Sequence, residues 1–211
     1  MADNRLSLQT LRRLPRYLNY LRSLSEETLY VSAIQIAGAI GLGEVQVRKD
    51  FAAVSRCGKP KVGYDIQQLM IDIEGLLAGD SVVRFCIAGA DSTGMALAKD
   101  PSLAGFGLQL AALFDADADV IGRRIGEFDV QPIERIKNVC ESDNIQAAVI
   151  VSSPEHAQRI CDVLIDAGVT IIWNFAPLHL KVPDGVYVEH ANLAAQLNIV
   201  CRRSLRMLKG H

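Results

Sequence analysis

The sequence has no apolar run approaching the roughly 18 residues that a bilayer crossing needs, although half of its 211 residues are hydrophobic. Its opening stretch, MADNRLSLQTLRRLPRYL, contains no signal-peptide core. Together these lacks predict a cytoplasmic protein without a membrane partner. Cysteine is sparse and odd in number: Cys57, Cys86, Cys140, Cys161 and Cys201 never form a CxxC. That spacing argues against a disulfide framework or a zinc cluster and predicts reduced thiols, several of them core filler. GxSxG and HExxH are absent, no acid pairs convincingly with a base, and His156, His179, His190 and His211 lack ligand spacing. Neither an enzyme nor a metal site is expected; Asp117 and Asp119, beside Asp115, read as a solvated loop.

Charge is present but unevenly placed. Residues 1–64 hold 10 Lys+Arg against 5 Asp+Glu, whereas the rest of the chain holds 12 against 19. A basic head on an acidic body fits a nucleic-acid-binding segment joined to something else. Within the head, Leu8, Leu11, Leu14, Leu18, Leu21 and Leu24 recur at three- and four-residue steps, predicting an amphipathic helix with Arg12, Arg13, Arg16 and Arg22 mostly off the apolar face. Pro15 suits the first turn of that helix and would bend it if placed deeper.

The next stretch, VSAIQIAGAIGLGEVQVRKDFAAV at 31–54, predicts two helices joined by a tight turn. Ser32 is the expected N-cap of the first, the glycines at 41–43 make the turn, and the second runs from about Glu44 with Val45, Val47, Phe51 and Val54 inward. Ala37, Gly41 and Val47 carry the helix-turn-helix spacing: a small residue for close crossing, a glycine for the turn and a branched anchor. Gln46, Arg48 and Lys49 are then the expected DNA contacts, with donors for base edges and positive charge for phosphates. SRCGKPKVGYDI follows as a glycine-bounded hairpin bearing Arg56, Lys59 and Lys61, the pattern of a wing.

From Ser81 onward, strand-like runs at 82–88, 108–114, 146–151, 170–173 and 185–189 alternate with helical ones. The helices are expected to open at Gly94, near Pro132–Val139, and between a capping Ser153 and a terminating Gly168. This alternation predicts an α/β, Rossmann-like parallel sheet with helices on both faces. Its first strand-to-helix turn, the anion site of such folds, reads Gly89, Ala90, Asp91, Ser92, Thr93, Gly94, and Asp115 follows where a ribose-binding carboxylate belongs. These seven residues are the candidate cofactor contacts. Asp91 stands where the fingerprint has its second glycine, adding bulk and like charge beside a pyrophosphate. It either caps the helix in place of a dinucleotide or leaves ordinary NAD binding intact. Trp173 reads as core or as pocket lining.

VRKDF after the helix-turn-helix, VGYDI after the wing, the G-A-x-x-x-G turn, FDADADVIG and NFAP resemble, in this order, the Rex redox-sensing transcriptional repressors. The resemblance spans Leu11 to about Leu197. It implies a winged-helix DNA-binding domain at 1–78, a Rossmann-like ligand-sensing domain at 79–191 and, at 192–211, a helix exchanged between subunits of a homodimer. Leu193, Leu197, Val200, Leu205 and Leu208 supply that helix with an apolar face. It further implies a repressor bound to double-stranded operator DNA and released by NADH. Departures gather on the ligand side. Asp100, Asn192 and Asn19 stand where the family has a tyrosine, an aspartate and, in some members, an arginine linking the nicotinamide end to the head, and Leu193 replaces a frequent phenylalanine. In the wing, Pro60 and Lys61 replace the usual Arg-Gly or Lys-Gly. The expectation is a Rex-type repressor whose NAD(H) response is weak or lost through Asp91. The alternatives are a working NADH/NAD⁺ sensor and a sensor of another anion such as coenzyme A, whose binding domains share the fold.

Overall fold

The computed structural model describes residues 6–79 and 81–209, with side chains as far as Arg202. Two compact units divide the chain: Met1–Val82 with Ala104–Gly107, and Val83–Leu103 with Leu108–His211.

The first unit opens with α1 (Leu8–Arg22), capped by Ser7, whose hydroxyl accepts from the Thr10 amide. Leu14, Leu18 and Leu21 are buried as the periodicity predicts, while Leu8 is exposed. Pro15 lies well past the first turn, inside the helix. A short β1 (Tyr30–Val31) leads to α2 (Ala33–Ile40), which starts in a full Ser32–Gln35 capping box and stops at Gly41 in the left-handed region, φ 67°. The recognition-type helix α3 (Glu44–Val54) buries Val47 and Phe51 completely. Val45 is not inward as the sequence suggested; it is 67% exposed. Two residues advance a helix by about 200°, so Val45 and Val47 occupy opposite faces. β2 (Gly58–Lys59) and β3 (Gly63–Asp65) form the wing hairpin, β1 completes its sheet, and α4 (Ile66–Ala78) starts from Asp65, whose carboxylate accepts from the Gln68 amide. Tyr17 and Tyr64 each meet Phe51 edge-on at 4.9 Å.

The second unit is a seven-stranded sheet. In chain order it runs through β4 (Val83–Ala88), α5 (Ser92–Ala98), β5 (Leu108–Asp115), β6 (Arg124–Ile125), β7 (Phe128–Pro132), a 3-10 turn at Ile133–Arg135, α6 (Ile136–Asp143), β8 (Ala147–Ile150), α7 (Pro154–Asp166), β9 (Ile171–Asn174), β10 (Tyr187–His190) and α8 (Leu193–Lys209). The spatial order β10-β9-β8-β4-β5-β7-β6 is parallel except for β6. It is the Rossmann order, and the order in which strands are added reverses between β4 and β8. Residues 175–186, between β9 and β10, carry no helix. Cys86, Cys140 and Cys161 are buried in the core as expected, and burial pushes the Cys161 thiol up to about 11.

Three local readings need correction. α5 opens at Ser92 rather than Gly94, because Asp91 caps it two residues earlier. Ser153 precedes α7 without a side-chain capping bond, Pro154 providing the first turn instead. The helix near Pro132–Val139 begins as a 3-10 turn and extends to Asp143. In α8, Leu193, Leu197, Ile199 and Val200 are each about 60% exposed or more; Leu205 and Leu208 lie outside the residues whose side chains are described.

Candidate functional site

Two regions carry the predicted site residues, one in each unit. In the first, Arg48, Lys59 and Lys61 line one concavity of about 390 Å³ with Ser32, Pro60 and Tyr64. The wing tip turns at Lys61, a non-glycine residue at φ 64°. Lys59 is held: its Nζ donates to the Tyr30 hydroxyl at 2.8 Å and lies 4.9 Å from the centre of that ring, and the hydrogen bond raises the lysine's pKa. Arg48 is paired with Glu44 one turn back, at 2.6 Å. Lys49 is exposed on the same helix. Arg56 is not brought to this concavity; it lines a separate recess with Ser55, Gln68 and Asp72.

Behind α3 lies a group that sequence reasoning missed. Asp50 is 2% exposed and accepts from Arg13 twice, Nε to Oδ2 at 2.7 Å and Nη2 to Oδ1 at 2.8 Å. The Tyr17 hydroxyl donates to Oδ2 at 2.6 Å, Gln46 Nε2 to Oδ1 at 3.0 Å and the Thr10 hydroxyl to Oδ1 at 3.3 Å. Burial alone raises a carboxyl pKa, but the donors from Arg13, Tyr17 and Gln46 outweigh it and hold Asp50 below the ordinary carboxylate range. Burial and Asp50 together push the Tyr17 phenol upward. The available signal was positional: Asp50 falls one turn from Val47 and beside Phe51, on the face that must be buried.

In the second unit the β4–α5 turn sits at the switch point. Gly89, φ 117°, passes so near β8 that an added Cβ would meet the Val151 carbonyl oxygen at 1.5 Å. Gly94 is buried beneath the turn, where a Cβ would meet the Gly89 carbonyl oxygen at 2.0 Å. Asp91 has ordinary extended backbone, φ −72°, and its Oδ1 accepts from the amides of Thr93 at 2.9 Å and Gly94 at 3.0 Å. Asp115, at the end of β5, braces the turn: Oδ2 accepts from the Ala90 amide at 2.6 Å and Oδ1 from the Asp117 amide at 2.9 Å.

Two cavities flank this turn, and Asp91 borders both. One of about 260 Å³ holds Gly89, Ala90, Asp115 and Asp117 against Val120 and Ile160. The other, about 550 Å³, holds Thr93, Phe175, His179, His190, Asn192 and Leu193. Ser92 is exposed, and neither it nor buried Gly94 lines these cavities. Phe175, rather than Trp173, reaches the larger one; Trp173 is 42% exposed and meets the Phe175 ring edge-on at 4.5 Å. No sequence spacing pairs His179 with His190, yet their rings stack at 4.9 Å, and His190 Nδ1 shares a hydrogen bond with buried Asn174 at 3.1 Å.

Comparison with known proteins joins these two regions. A family described as "Putative DNA-binding protein N-terminus" matches residues 5–52, and one described as "CoA binding domain" matches residues 80–178. The redox-sensing transcriptional repressor Rex of Streptomyces coelicolor is 36% identical over 192 residues, 90% of this chain and 74% of its own. Rex of Porphyromonas gingivalis is 33% identical over 204 residues, 96% of this chain and 94% of its own. Among solved structures, RSP in complex with beta-NAD+ and operator DNA has a TM-score of 0.82 at 29% identity, covering 98% of both chains. The complex of RSP with beta-NADH gives 0.83. These relatives are repressors and not enzymes, and the chain belongs to the Rex family of redox-sensing transcriptional repressors.

Proposed function

We propose that the protein is a homodimeric, cytoplasmic repressor that grips double-stranded operator DNA through residues 1–78 and has lost most of the NAD(H) response housed in residues 79–191. Arg48, Lys49, Lys59 and Lys61 supply phosphate contacts; the concavity between helix and wing supports Arg48, Lys59 and Lys61 acting together, and Lys49 is exposed beside Arg48 on the same helix. The apolar residues displayed on α8 support its exchange with a second copy.

One observation carries the ligand half of this reading: the Asp91 carboxylate holds the Thr93 and Gly94 amides. Those are donors at the start of a helix, where its dipole favours negative charge. With a carboxylate already there, a diphosphate meets like charge. At 4 Å one such pair costs about 1 kcal/mol in water and about 4 kcal/mol at an effective dielectric near 20. Gly89 and Gly94 do not argue the other way, because the protein's own packing requires both. The residues present therefore do not fit a dinucleotide diphosphate, and the same objection meets coenzyme A.

Calorimetric titration of the purified protein with NADH, NAD⁺ and coenzyme A side by side tests this, together with operator binding in the presence of each. Weak or absent heats and an operator complex indifferent to NADH are expected. NADH-selective binding at low micromolar strength would overturn the ligand half and leave the operator half standing.

A further inference from the structure

The first turn of α3 carries two outward groups whose chemistry is set before any DNA arrives. Val45 is 67% exposed, whereas Val47 and Phe51 on the same helix are fully buried. Gln46 is exposed, and its amide is oriented by Asp50. An ionised carboxylate only accepts hydrogen bonds, so Nε2 must be the end that faces it and Oε1 the end left over. The remaining donors around Asp50, from Arg13 and Tyr17, fix that carboxylate in turn. Arg48, the residue type that most often forks onto guanine, is already paired with Glu44.

From this arrangement we infer that Val45 and Gln46 read an A·T pair in each half-site. Val45 packs on the thymine C5-methyl group, the apolar feature of the major-groove edge, and Gln46 Oε1 accepts from the adenine N6 amino group. N-terminal residues of a recognition helix are the ones that reach base edges. Asp50 is a positioning residue here: it touches no base and acts by fixing which end of Gln46 points outward. This inference rests on the operator-binding reading above and adds what that reading leaves open, the base pair selected.

The test begins with selection of the full-length protein against a random-sequence duplex library. Selected duplexes are then remade with uracil for thymine, which removes the methyl group, or with purine for adenine, which removes the amino group. At one A·T pair per half-site each replacement is expected to cost the unmodified protein about tenfold or more in affinity. Val45→Ala loses sensitivity to the uracil replacement and Gln46→Ala to the purine replacement, both keeping wild-type salt dependence, while wild-type thermal stability is expected of Val45→Ala alone because Gln46 also donates to buried Asp50. Asp50→Asn, where it folds, relaxes the same adenine position as Gln46→Ala. Enrichment followed by unchanged base preference in Val45→Ala and Gln46→Ala would overturn this inference alone. Failure of the unmodified protein to enrich any duplex would overturn the operator-binding reading, and this one with it.

Discussion

Gly94 rests against the carbonyl of Gly89 so closely that a methyl group on Gly94 would meet that oxygen at 2.0 Å. The contact is backbone, which cannot swing aside as a side chain does. Gly94→Ala is therefore expected to destabilise the second unit by about 1–3 kcal/mol, the usual cost of overpacking. A lowered thermal transition with the winged-helix unit still folded would match; a wild-type transition would show that the turn relaxes freely.

Asp91 lies between those two glycines but is exposed and free of their constraint. Asp91→Gly should thus leave the fold nearly intact, since glycine replaces a capping residue at a cost of a few tenths of a kcal/mol. Its effect belongs to the ligand: removing one like charge is expected to raise NAD(H) affinity at least about tenfold. Isotherms that coincide for the variant and the parent protein would contradict the reading of the turn.

The same turn shows why sequence carried the fold further than the site. Alternating apolar runs and helical stretches are enforced over many residues, so the parallel sheet and the helix-turn-helix were legible, down to Ser32, Gly41 and Val47. A glycine has no such redundancy. Gly89 and Gly94 read as a ligand fingerprint, yet the Val151 and Gly89 carbonyls explain them without any ligand. Asp50 was hidden for a related reason: one carboxylate on a buried face becomes sensible only when Arg13 and Tyr17, far away in sequence, arrive as donors. Apolarity alone puts Val45 inward, but helical phase opposes it to Val47 and leaves it exposed.

Arg13 and Asp50 give the winged-helix unit its acid sensitivity. The folded-state pKa of Asp50 is depressed by its donors against the opposing effect of burial. Its contribution is complete above the unfolded carboxylate value, about 3.9, and is lost as pH falls through the lower folded value. Denaturation of this unit followed from pH 7 down to pH 2 should show stability falling chiefly below about pH 4. Arg13→Ala leaves Asp50 without its buried partner and is expected to cost about 3–5 kcal/mol at neutral pH. A cost under about 1 kcal/mol would place this pair among ordinary surface ion pairs.

Lys49 and Arg48 make a separable prediction on DNA. If each neutralises one phosphate, Lys49→Ala and Arg48→Ala should each flatten the dependence of log affinity on log salt by about 0.9. Base preference in selected duplexes should stay as it was, because phosphate contacts carry no direct sequence information. Salt titrations that superimpose on the parent protein would remove both residues from the DNA face. Glu44→Ala, which releases Arg48 from its 2.6 Å ion pair, is expected to strengthen binding slightly at low salt.

Leu197 and Val200 test the exchange of α8. They are 64% and 61% exposed, with Leu193 and Ile199 at 59% and 66%, on a helix whose residues 193–202 are all exposed. Contiguous apolar surface of this kind marks an interaction site on a folded protein. In an exchanged pair each copy buries the other's helix by the same contacts, so one substitution acts twice. Leu197→Glu is therefore expected to convert a dimer into a monomer in sedimentation, while the melting of the winged-helix unit is unchanged. Operator affinity should fall sharply with it, because two linked heads bind two half-sites with an advantage that single heads lack. A Leu197→Glu protein that remains dimeric and binds operator normally would mean that α8 does not hold the two copies together.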